Sequence, residues 1–581
     1  MRRSVKWTIA AAAVAAMLAG VYRWPMASAR VRAELDRATP PIGLHWRGPS
    51  HVTFALLPRP TLRVVGVDLV AADGRSVLTA PEAQFPLSLF ALIGGRLLPV
   101  GATLDSPTAL VDLDAAPALA EERAVAADSR DGGSGAWANV RLRGGVLHVV
   151  SASRHLDTLI ESLDGGLDWP RADAPLSVAL VGAWRDERVT IRGRIDNPRD
   201  ALSRRATGVA LSVASRPLDL EAEGTWGGED ETSFVGTLTA DVRSLSALKR
   251  LMGGDGAPFL LGDSFSLSGK AQAAGESMTL SEAAVTASGQ KFEGALTFAR
   301  QGGRYAVSGT LATDQLDLAA LTGPPPDLLT PAGDWRQTPF AYAPPTDLDL
   351  DLRLSAAHME WCGRAVEDAA GSLMCKAGAC TATLLEANAY EGTLKGQLSV
   401  ARGARGLATQ ATISLTDADL GAAFADLGWG GFHGDGDVEA NLRATGFAAS
   451  DSILSLAGKA SATLTAGAID GVSVEEALRR SQRRPVDIDR DLGNGATHFS
   501  HGRLRLTIAD GVATIDEGRF EGPGSTTDFD GMIDIAGRAW EAKAHAVQTD
   551  SQGAPSPDAA RLTIVLSGPW SAPNVLAAPG D

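Results

Sequence analysis

The chain has no basic stretch, only three cysteines, and no long apolar run beyond its first two dozen residues. Nucleic-acid binding needs a basic face that displaces counterions. Here 69 acidic residues outnumber 53 lysines and arginines, giving a net charge of −16 over 581 residues. Nucleic acid is therefore not an expected partner, and the acidity reads as solubility. Cys362, Cys375 and Cys380 lie in one short window. A zinc site wants two close pairs or a pair with flanking histidines, and neither is present. In an oxidising compartment Cys375 and Cys380 could clip a hairpin, leaving Cys362 free or paired instead; buried free thiols are the alternative.

Motifs that carry chemistry are missing as well. Gly269-Lys270 and Gly458-Lys459 are each followed by alanine, where a phosphate-binding loop needs Ser or Thr after the lysine. There is no G-x-S-x-G elbow and no His-Glu-x-x-His helix. Asp487-x-Asp489-x-Asp491 opens like a calcium loop, but Gly493 falls one place late and His498 stands where the bidentate Glu belongs. No catalytic residue, cofactor or metal is expected, and the chain does not read as an enzyme.

What is present is a recurring phrase, apolar-x-apolar-x-Gly-x-apolar. It appears as Val189, Ile191, Gly193, Ile195; as Tyr305, Val307, Gly309, Leu311; and as Leu454, Leu456, Gly458, Ala460. Phe265, Leu267, Gly269, Ala271 and Leu218, Leu220, Ala222, Gly224, Trp226 are further copies, as is Leu562, Ile564, Leu566, Gly568, Trp570. Period-two alternation makes strands with one apolar and one polar face. Glycine accounts for 64 residues, well above the usual ~7%. At a fixed phase within strands it permits a bend or a close approach that would help a sheet curl; a plain strand end is the alternative.

Arg2, Arg3 and Lys6 precede an alanine-rich apolar run from Trp7 to Tyr22. That run lies between the core of a signal peptide and the roughly 17–25 residues of a spanning helix. Ala27-Ser28-Ala29 permits cleavage, whereas Trp24 and Pro25 suit a retained anchor. The expectation is a retained anchor at residues 1–28, single-pass in an inner membrane, with the bulk of the chain exported.

Beyond it, residues 29–322 read as a β-rich groove domain, opening with a short helix at 29–37 and carrying a loop at 114–134 rich in Ala, Asp, Ser and Gly. Short helices are expected near Pro86–Leu92, at Leu245–Met252 and at Val474–Arg484. Residues 323–345 hold seven of the 30 prolines and read as a linker to a second β-rich region, 346–581. The run Asp347 to Leu354 alternates acid and leucine, which reads as an amphipathic strand rather than a metal cluster.

The order of residues resembles the AsmA family of bacterial envelope proteins. Leu56-Leu57-Pro58-Arg59-Pro60-Thr61-Leu62 and the stretch Ser177 to Trp226 are similar to its opening and its middle repeats. The most specific block is C-terminal: Ala466 to Val472, Gly495 to Phe499, Ile508 to Val512, Phe529 to Asp534 and Ser567 to Pro573. The resemblance implies a mainly β fold: an N-terminal transmembrane helix, then an elongated, curled, largely antiparallel sheet forming a taco-like groove with a few short capping helices. It implies a role in outer-membrane homeostasis, with phospholipid or another envelope lipid as ligand and a possible outer-membrane protein partner. On the order of 20–25 strands at about 4.8 Å each would make a groove of about 100–120 Å.

The working surface is then the set of inward apolar positions, among them Val189, Ile191, Phe265, Leu267, Val307, Leu454 and Leu456. An open sheet with one apolar face must cover it with helices, another sheet or a ligand, and few helices are in sight. The competing reading is a non-catalytic assembly or regulatory factor for the outer membrane that binds protein partners. A secreted solenoid enzyme would need a regular repeat and a carboxylate cluster, neither of which is evident.

Overall fold

The computed structural model describes the chain except residues 1–13, 16, 30, 32, 34–43, 49, 72–74, 113–137, 152–155, 171–173, 203–204, 229–232, 252–261, 302–303, 324–326, 343, 347, 362, 427–429, 482–494, 551–552, 556–558, 571–572 and 580–581. The expected loop at 114–134, the Asp487 to Asp491 run and Cys362 all lie outside the described residues. The chain divides into two compact units at Gly289/Gln290. This boundary falls ahead of the Pro-rich stretch at which the linker was expected.

Alternation produces strands, as expected, and the described residues hold 32 of them with only a few short helices. The number exceeds the expected 20–25 because several are pieces of two to six residues, such as Leu44–Arg47 and Ala102–Asp105. Neighbours in sequence are mostly neighbours in space, joined by tight hairpins. Arg185 and Asp186 (φ 49° and 65°) turn Trp184 into Glu187. Asp510 and Gly511 (φ 50° and 75°) turn Ala509 into Val512. Two central residues at positive φ match the right-handed strand twist.

In the first unit, pairing runs without a break from His51–Ala55 to Ser277–Ala287. It is antiparallel except where Ala102–Asp105 and Thr108–Asp112 lie parallel to Asn139–Ser151. A core of Val31, Trp46, Val52, Val64, Ala83, Phe85 and Leu104 closes its N-terminal end. No helix among the described residues is long and apolar enough to cross a membrane. The expected transmembrane helix is therefore not found. Of its residues, 14–15 and 17–21 are helical, and the first thirteen are outside the described residues.

The second unit runs from Gln290–Gln301 to Asn574–Pro579. Arg304–Asp317 and Leu348–Trp361 pair in parallel, so the chain between them must return along the unit. The Pro-rich stretch makes this return as a strap fastened to the sheet. Trp335 Nε1 donates to the carbonyls of Ile535 and Ala536, both at 3.1 Å. Phe340 N donates to Phe447 O and Ser450 N to Arg336 O. The Asp-Leu alternation is an amphipathic strand, with Leu350 and Leu352 buried and Asp349 paired to Arg304. Cys375 and Cys380 face each other on adjacent strands and form a disulfide.

Candidate functional site

Residues paired directly across a sheet project on the same face, so following the register from strand to strand traces each face. In the first unit one line begins Val52, Val64, Ala83, Leu104, Leu142, Gly165. It continues through Leu180, Ile191, Val213, Leu220, Ala240, Leu267 and Val285. It takes one residue from each of thirteen strands, and none is polar. A parallel line, Val178, Gly193, Leu211, Ala222 and Leu238, lies two residues along. On its other side Leu218, Val242, Phe265 and Ala287 form a third.

The opposite face is polar. Arg192, Ser212, Glu221, Thr239 and Ser268 make the corresponding line there. A shallow cavity of about 320 Å³ on that side is edged by Arg192, Arg194, Glu221 and Glu223. Its charged rim suits water rather than an apolar ligand.

Burial changes along the apolar line. Ala83 is fully buried and Leu104 nearly so, because the N-terminal core lies over them. From Leu142 to Leu220 the line is only half-buried, and Leu211 beside it is 43% exposed. Burial returns at Ala240 and Leu267. The middle of the face is thus less covered by the chain's own described residues than its two ends.

The second unit repeats the arrangement. Its line runs Leu296, Gly309, Leu352, Leu373, Ala382, Leu398, Ala411. It then passes through Leu442, Gly458, Ile508, Ala513, Ile533, Trp540 and Gly568. Val307 is in the adjoining line with Leu350 and the disulfide pair. Leu398 and Ile413 stand 44% and 45% exposed on this face. Toward the C-terminus the chain covers itself. Helix Val474–Ser481 puts Val474, Ala477 and Leu478 onto Ala544, Ala546, Leu562 and Ile564. Phe424, Phe432, Phe499, Phe520 and Phe529 form a ladder of ring contacts 5.1 to 5.9 Å apart.

Of the positions picked from sequence, Ile191 and Leu267 share one line and Phe265 is in the next. Val189 is buried beside Gly182 on the same strand face as Ile191. Leu454 requires correction. It ends a short helix, Ala449–Leu454, and is 61% exposed, while the strand begins at Ala457 after Leu456. Leu398, Leu211 and Val213 were not singled out, although the same alternation carries them. Arg479 and Arg480 of helix Val474–Ser481 are both paired to Glu476. No group of His, Cys, Asp and Glu suited to a metal occurs among the described residues.

Residues 332–517 match the model of the AsmA family. No curated protein and no solved structure matches the chain.

Proposed function

We propose that this chain, a member of the AsmA family through residues 332–517, binds acyl chains on the apolar face of its sheet and acts as a membrane-anchored, periplasmic lipid-binding or lipid-transfer protein. The observation that carries the reading is the apolar line of the first unit, unbroken by a polar residue over thirteen strands and only partly buried from Leu142 to Leu220. Apolar surface of that extent costs about 25 cal/mol per Å² when left in water, so a ligand that covers it is held by the hydrophobic effect alone. No reacting group is called for. The polar face keeps the occupied sheet in solution.

A second reading, the assembly factor, draws on the self-covered stretches, where helix Val474–Ser481 and the phenylalanine ladder fill the face. There a lipid has no room, and the surface serves the fold.

A photo-crosslinking amino acid at Val213, in the full chain in its own cell envelope, tests the two readings. Adducts of lipid mass at Val213, absent when the crosslinker replaces Ser212 on the polar face, are expected. Adducts with protein alone at Val213 would replace the lipid reading with the assembly factor.

A further inference from the structure

We infer that the pole of the first unit next to residues 14–25 is a second membrane-contact site, in which helix Leu89–Ile93 inserts its exposed apolar side chains into an anionic bilayer surface. Phe90 is 88% exposed and Ile93 79%, the most exposed large apolar side chains among the described residues of that unit. Their exposure is built in. Ser88 caps the helix by accepting from Ala91 N, Ser88 N donates to Leu98 O, and Val100 N donates to Pro86 O. Leu89, Leu98 and Val100 extend the same apolar patch.

Topology brings this patch to the N-terminal segment. Ala55, Thr61 and Pro86 are opposite one another at one end of the sheet. The turn Leu56 to Pro60 and the loop carrying the helix both leave from that end, linked by Leu87 N donating to Pro60 O. Leu56 and Leu57 donate their N–H groups to Gly20 O at 3.0 and 2.8 Å, and Trp24 pairs with Phe54. The apolar helical residues Met17, Leu18 and Val21, each more than half exposed, therefore sit beside the turn. Tyr22 and Trp24 follow with their rings in edge contact, and such rings favour the level of the lipid head groups.

Charge identifies the occupant. In a chain of net charge −16, residues 14–33, 55–61 and 86–101 contain no Asp or Glu. The exposed charges the described pole carries are Arg23, Arg59 and Arg96. An apolar patch ringed by cations suits anionic lipid, which attracts basic side chains at its surface. A single Phe-Ile wedge is too small to hold a protein on a membrane alone, so its effect is to fix the tilt of the body. The inference does not require acyl chains on the sheet.

The test uses the full chain with Cys362→Ser, an environment-sensitive fluorophore on Phe90→Cys, and vesicles of three parts phosphatidylethanolamine to one part phosphatidylglycerol. Val235→Cys, exposed on the polar face of the sheet, is the reference. The expected result is a blue-shifted Phe90 label that loses at least half its intensity to acyl-chain nitroxide lipid and resists iodide, with the reverse at Val235. Replacing Arg59 and Arg96 by Glu should reduce the lipid quenching at least twofold. Quenching that persists with Ile191→Asp separates bilayer contact from a lipid held on the sheet, and quenching lost with that change overturns the inference. Iodide quenching equal to that at Val235 overturns it too. So does shielding from both quenchers, since residues 1–13 or a second copy then cover the helix. Ile93→Cys gives the same readout if Phe90→Cys does not fold.

Discussion

Ile191 stands directly opposite Val213 on the neighbouring strand, and both are only partly buried by the rest of the chain. The pair separates ligand binding from folding. An aspartate at Ile191 can still reach water, so its cost to stability should be about 1 kcal/mol, the typical size for a single substitution. An aspartate at Leu280, which has no exposure, must be desolvated without a partner and should unfold the first unit. Ile191→Asp is therefore expected to remove most co-purifying lipid, read by mass spectrometry of solvent extracts, while hydrogen exchange of the sheet stays native. Equal lipid content in Ile191→Asp and the parent would sink the assignment of this face.

The glycine phase has a physical reason that can be tested at one site. Gly224 and Gly236 are paired, and a Cβ on Gly236 would lie 2.2 Å from Glu223 O and 2.6 Å from Gly224 Cα. The two backbones have closed over the space a side chain needs. Gly236→Ala must push the strands apart, at about 1–3 kcal/mol for overpacking. Hydrogen exchange should accelerate across residues 218–242 and leave the second unit unchanged. Uniform protection in the variant would mean that the sheet yields there without loss.

The strands, the apolar face and the helix Val474–Ser481 were legible because each is a local pattern. Alternation fixes a face two residues at a time, and Val474, Ala477, Leu478 and Ser481 carry helical spacing. Leu454 misled because Leu-x-Leu closes a helix as readily as it opens a strand. The signal that separates them is Asp451, whose carboxylate accepts from Phe447 N at the helix start. The strap was illegible for another reason. Prolines mark only the absence of regular structure, and the fastening of Trp335 to Ile535 joins residues 200 apart in sequence. The open middle of the face was inferred from the scarcity of helices, but its limits depend on which distant residues fold back over it.

That fastening gives a third prediction. The Trp335 indole shares its one N–H between two carbonyls, and a net hydrogen bond is worth about 0.5–1.5 kcal/mol. Trp335→Ala loses both the bond and the ring, whereas Trp335→Phe loses the bond alone. Trypsin should cut after Arg336 fastest in the alanine variant, at an intermediate rate in the phenylalanine variant and slowest in the parent. Identical rates in all three would show that the strap is held by Phe340 and Ser450 without the indole.

Acid sensitivity of the N-terminal end should trace to one ion pair. Arg63 donates to Glu82 across adjacent strands, and the second carboxylate oxygen of Glu82 accepts from Gln84 Nε2 at 3.2 Å. The Arg63 hydrogen bond is the main cause that holds the Glu82 carboxyl below its ordinary 4.5, with Gln84 and the charges of Arg63 and Arg23 acting the same way against the opposing effect of burial. A depressed folded value means the pair contributes fully above pH 4.5 and is lost as pH falls through the depressed value. Hydrogen exchange in residues 61–86, corrected for intrinsic rates, should lose protection on acidification below pH 4.5. Glu82→Gln should start with less protection at pH 7 and show a shallower decline, because no proton is taken up at that position. A variant that declines as steeply as the parent would place the acid-sensitive group elsewhere in the unit.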